Sequence, residues 1–107
     1  MINTIQDIIT RVRTVIPKTY TQIPQGTANP CARVDVSQDT VDVWDTWHDK
    51  YLFTISIWTN DIKSGLEYAN SIKNALHRQN GYMVQNIKNF IDAEGDIQTQ
   101  IRVIMFL

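Results

Sequence analysis

Residues 51–59 read Tyr51, Leu52, Phe53, Thr54, Ile55, Ser56, Ile57, Trp58, Thr59, and their alternation decides the fold class. A strand sends successive side chains to opposite faces. Tyr51, Phe53, Ile55 and Ile57 therefore share one face, while Leu52, Thr54, Ser56 and Trp58 share the other. The first set is wholly apolar and reads as the side turned to the core. The second is mixed.

Downstream, Asn60 and Asp61 break the alternation and a helical period replaces it. Ile62, Leu66, Ala69, Ile72 and Leu76 form one apolar stripe, and Ser64 with Glu67 has the form of a capping box. Asn80 and Gly81 predict the stop, with Gly81 taking the left-handed conformation that follows a helix. Residues 83–91 and 97–107 then predict two strands, separated by Asp92, Ala93, Glu94, Gly95 and Asp96, a composition suited to a hairpin turn. The last strand carries Ile97, Ile101, Val103 and Met105 on one face and Ile104 with Phe106 on the other.

Upstream, Ala32, Val34 and Val36 alternate with Arg33, Asp35 and Ser37, which predicts another strand. Between it and Tyr51, residues 37–50 are polar and rich in Asp, interrupted by Val41, Val43, Trp44 and Trp47. They read as a long hairpin arm. At the start of the chain Ile2, Ile5, Ile8 or Ile9, Val12 and Ile16 recur at helical spacing. Asn3 or Thr4 would cap this helix, Asp7 would face its positive end, and Pro17 would stop it. Pro24, Gly26 and Pro30 mark residues 17–31 as a largely irregular connector with room for a short strand at residues 20–23.

These elements give an α+β fold in the order helix, strand, strand, helix, strand, strand. The expected architecture is an antiparallel or mixed sheet of four to five strands with two helices packed on one face. A chain of 107 residues is of a size for one domain, spanning 1–107. Two helices cover one side of such a sheet. Leu52, Trp58, Ile104 and Phe106 on the other side would need cover from the connector, the arm or another subunit.

Composition narrows the function classes. Apolar residues make up 43% and charged residues 20%, which supports a packed core. A net charge of −1, with basic residues spread along the chain, lacks the clustered excess of Lys and Arg that phosphate binding requires. No specific nucleic-acid binding is expected. Cys31 is the single cysteine, so an intramolecular disulfide is impossible and a zinc site would lack its second thiolate, which fits a reducing compartment. No apolar run approaches the ~20 residues of a membrane span, and the first residues lack the pattern of a secretory leader. The four glycines fall in no phosphate loop and no nucleophile elbow, so neither an enzyme nor a cofactor is expected.

The arm is the stretch with the most chemistry. Asp35, Asp39, Asp42, Asp45 and Asp49 occur with no Lys or Arg between residues 35 and 49, and Trp44 and Trp47 lie among them. Large, low-entropy aromatic side chains anchor interfaces, and the carboxylates would set charge complementarity. Trp44, Asp45, Trp47, Trp58, Asp42 and Asp49 are accordingly the candidate interface residues. His48 beside Asp45 and Asp49 lacks metal-ligand spacing. His77 reads as a structural residue near a helix end, and Cys31 as a buried small thiol.

In layout the chain resembles the tail terminator and tail completion (head-tail joining) proteins of long-tailed bacteriophages. The parts that carry the resemblance are the first helix ending at Pro17, the strand opening from Pro30 to Val36, the strand from Tyr51 to Trp58, the helix from Asn60 to Gln79, and the closing pair of strands. Together they cover nearly the whole chain. The resemblance implies a ring, a hexamer, that caps the finished tail tube and presents a surface to the head connector or stopper protein. It also implies a place in the tail or neck of the virion, assembly in the host cytoplasm, no cofactor, and a lumen through which DNA passes without being gripped. A head-closure role in the neck is the near alternative. A ferredoxin-like module for a small ligand or regulatory peptide is the distant one, and a hydrolase using His48 with Asp45 or Asp49 is a contrasting third.

Overall fold

The structure, a computed structural model, describes residues 2–43, 46–77, 81–91 and 96–106; for 2–3, 38–43, 46–50 and 106 it covers the backbone path alone. The elements are α1 (Ile2–Arg13), β1 (Thr19–Tyr20), β2 (Cys31–Val43), β3 (Thr46–Thr59), α2 (Ile62–Leu76), β4 (Tyr82–Ile91) and β5 (Ile97–Phe106). One five-stranded sheet runs in the order β1-β2-β3-β5-β4. It is mixed, because β1 lies parallel to β2 while every other pair is antiparallel. The expected α+β class and element order stand.

Both helices cover one face. Ile8, Val12 and Ile16 from the α1 region and Ala69, Ile72 and Leu76 from α2 join Val34, Phe53, Ile55, Ile57, Ile101 and Val103 in one buried cluster. The strand residues in it are those that alternation assigned to the core side. Tyr82 closes the cluster from β4, its ring edge-on to Phe53 at 6.3 Å.

Several boundaries differ from expectation. α1 ends at Arg13 rather than at Pro17, and the chain closes with a turn in which the Thr14 N–H donates to the Arg11 carbonyl and the Val15 and Ile16 N–H groups donate to the Val12 carbonyl; Pro17 then keeps Ile16 out of helical geometry. Asp7 sits beyond the first turn and pairs with Arg11 instead of facing the helix start. The short strand of the connector is Thr19–Tyr20, earlier than residues 20–23, and it is anchored by the Arg13 Nε donating to the Thr19 carbonyl at 3.0 Å.

The second helix is capped by Asp61, not by Ser64: the Asp61 carboxylate accepts from the Ser64 N–H at 2.6 Å. That bond, joined by one from the Ser64 hydroxyl, holds the Asp61 carboxyl below the usual carboxylate range. The helix ends at His77, whose N–H donates to the Lys73 carbonyl at 2.8 Å. Gly81 does take a left-handed φ of +83°, but at the opening of β4, not directly after the helix. The stripe is rotated as well. Gly65, Ala69, Ile72 and Leu76 are buried, whereas Ile62 and Leu66 are 50% and 40% exposed.

Candidate functional site

The register of β2 on β3 is unbroken from Cys31 opposite Trp58 to Val43 opposite Thr46. β5 joins β3 only from Lys50, which lies opposite Phe106, to Thr59. Among the described residues, 40–43 and 46–49 therefore pair with each other alone and continue past the sheet as a two-stranded ribbon, adding roughly 13 Å at ~3.3 Å per residue. This agrees with a molecule measuring 46 × 24 × 24 Å. The expected hairpin arm is thus present, with strand structure well beyond its base. Asp42 lies opposite Trp47 and Thr40 opposite Asp49 in the backbone register. The candidate residues Trp44 and Asp45 lie outside the described residues, as do the side chains of Asp42, Trp47, His48 and Asp49.

Trp58 is not part of that end of the molecule. It stands eleven residues from Trp47 along β3, about 36 Å away at ~3.3 Å per residue, so the candidate set is split between two ends of the sheet. The Arg33 guanidinium lies 5.4 Å from the Trp58 ring centroid, a cation–π contact on the face away from the helices.

On this outer face the strands form cross-strand rows. Leu52, Ile104 and Met83 make an apolar row at the ribbon end. Next come Asp35, Thr54, Arg102 and Asn86, then Arg33, Ser56, Gln100 and Lys88. Cys31, Trp58, Gln98 and Phe90 make the last row. The face is therefore striped, with a polar middle between two rows that carry the apolar side chains. Ile104 is already sheltered, at 7% exposure, and Leu52 and Trp58 are half-buried within their own chain.

The polar middle carries a cationic excess among the described residues. Asp35 accepts from Arg33 Nε at 3.0 Å, while Lys88 and Arg102 meet no described carboxylate. Ser56 Oγ is buried and, with Asn86 Oδ1, makes no hydrogen bond among the described residues.

The apolar exposure that sequence reasoning missed lies at the β4 edge. Met83, Phe90 and Ile91 are 53%, 41% and 65% exposed. Ile62, Asn89, Phe90, Ile91 and Ile97 line an open, mainly apolar cleft beside the start of α2. A signal was available: between Val84 and Ile87 the apolar spacing changes from two to three, and a register shift between Val84 and Asn86 makes that change. The shift keeps Ile87 against the core and turns Phe90 outward.

Reactive groups are placed for structure. Burial pushes the Cys31 thiol up, with Lys18 opposing and Asp96 adding to the shift, so the nucleophilic thiolate is disfavoured. His77 accepts at Nδ1 from the Val84 N–H at 3.1 Å and so ties α2 to β4. Among the described residues no three His, Cys, Asp or Glu converge on one point, and no helix is long and apolar enough to cross a membrane.

No protein-family model and no curated protein matches this chain. Among solved structures, a chain of the virion of a native gene transfer agent (GTA) particle is similar to it, with a TM-score of 0.66 and 12% sequence identity. The match covers 91% of this chain and 87% of that one. At such low identity the likeness is one of fold, and it extends over most of the chain.

Proposed function

We infer that the chain is a structural, non-enzymatic protein of a phage-like virion, acting as one domain over residues 1–107 that assembles into a ring at the end of the tail tube and joins it to the head connector. The observation that carries this reading is the near-complete fold likeness to a chain of a gene transfer agent virion. The projecting ribbon and the exposed apolar residues along β4 support it, since surfaces of this kind are covered in assemblies. Trp44, Asp45, Trp47, Asp42 and Asp49 on the ribbon, with Trp58 at the far end, are the proposed contact residues. DNA would pass through the lumen without specific contacts, consistent with the net charge of −1. A head-closure role in the neck would use the same surfaces.

Size-exclusion chromatography with light scattering, followed by negative-stain imaging with purified tail tubes, tests the reading. Closed rings, free or on tube ends, are the expected result. A chain that stays monomeric and never binds a tube overturns it. The cleft of Ile62, Phe90, Ile91 and Ile97 favours a second reading, a module for a small apolar ligand. Stabilisation in a thermal-shift screen of small molecules would support that option, and a flat response would remove it.

A further inference from the structure

The ribbon and the outer sheet face are complementary in charge and differ in what they lack. Residues 39–50 hold Asp39, Asp42, Asp45 and Asp49 against Lys50 as the single Lys or Arg, so the ribbon is acidic. The middle of the outer face holds Arg33, Lys88 and Arg102 against Asp35 alone.

We propose that the outer sheet face, centred on Lys88 and Arg102, receives the acidic β2–β3 ribbon of a second copy of this chain. The ribbon does not reach its own face, because its strands continue β2 and β3 in unbroken register away from the sheet. An isolated two-stranded ribbon is marginally stable in water, so a docking surface stabilises it. Exposed Met83 and half-buried Leu52 border the polar strip and offer apolar contact for the ribbon's tryptophans. Contact of one copy's ribbon with the next copy's face is head-to-tail, and such an interface closes into a ring when the rotation permits. The proposal thus rests on the ring reading and names the surfaces that would build it.

Charge reversal tests it. Asp42→Lys with Asp49→Lys alters the ribbon, and Lys88→Glu with Arg102→Glu alters the face. Each pair alone should raise the protein concentration needed for half-assembly at least about tenfold, since like charges brought together oppose docking. All four changes in one chain should restore assembly. Far-UV circular dichroism and melting temperature report whether each variant is folded. As a milder check, a copy carrying Asp42→Cys and a copy carrying Lys88→Cys, mixed and treated with a short bis-maleimide, should give a crosslinked dimer. Wild-type rings that persist in both reversed variants, or no rescue and no crosslink between folded chains, would overturn the docking proposal while leaving the ring standing. A wild-type chain that never associates overturns the ring reading and this proposal with it.

Discussion

Asp7 lies one helical turn before Arg11 and 75 residues from Tyr82, yet its Oδ2 accepts from both, from Arg11 Nε at 3.0 Å and from the Tyr82 hydroxyl at 2.7 Å. Burial first, then the hydrogen bond to Asp7 and its charge, push the Tyr82 phenol well above its usual range. The folded chain therefore holds this proton more tightly than the unfolded chain. The resulting stability is fully present below about pH 10, where an unfolded tyrosine titrates, and is lost as pH rises above it. Tyr82→Phe should lower stability by about 1 kcal/mol at neutral pH and make the alkaline loss less steep, as read by chemical denaturation across pH. Unchanged alkaline behaviour would show that another group controls it. Cys31, buried and raised in pKa, should resist iodoacetamide in the folded protein and react fully in concentrated guanidinium. Rapid alkylation of the native chain would contradict this placement.

At the scale of elements, the seat of α2 on the sheet depends on one missing side chain. A Cβ on Gly65 would stand 2.5 Å from Thr99 Oγ1 and 3.2 Å from Thr59 Oγ1. The Thr99 hydroxyl is fully buried and donates to Asn89 Oδ1 at 2.7 Å, so it cannot swing aside without losing that bond. Alanine ordinarily favours a helix over glycine by about 1 kcal/mol. Here overpacking of about 1–3 kcal/mol should win, and Gly65→Ala should destabilise the protein in urea unfolding. Adding Thr99→Ala should recover part of the loss, and an additive result would show that the two residues do not meet. Asp61→Ala should lower the melting temperature by exposing the first N–H groups of α2, and the effect should shrink in acid as the Asp61 carboxyl of the parent is protonated.

For the whole molecule, α1 and α2 bury one face of the sheet while β4 is left as an edge with apolar side chains in solvent. Edge strands are commonly protected by bulges, and the shift between Val84 and Asn86 is one such device. Because Ile91 is 65% exposed, Ile91→Lys should change the unfolding free energy by no more than about 0.5 kcal/mol, measured by urea denaturation. A much larger loss would mean that the β4 end is buried in the isolated chain.

Period alone determined much of this protein. The alternation in residues 51–57 placed Tyr51, Phe53, Ile55 and Ile57 on the core side, and the helical spacing of Ile8, Val12 and Ile16 placed α1 against it, because each pattern is a local consequence of backbone geometry. The polar, Asp-rich run likewise announced the arm. Other features depended on contacts between distant residues. The rotation of α2 follows from Gly65 meeting Thr59 and Thr99, and the distance between Trp58 and the ribbon follows from strand length. The gathering of Arg33, Lys88 and Arg102 on one face follows from the strand order β2-β3-β5-β4. Spacing along a chain is written in the sequence, but which strands become neighbours depends on the free energy of the whole packed sheet, and that was decided only by the tertiary structure.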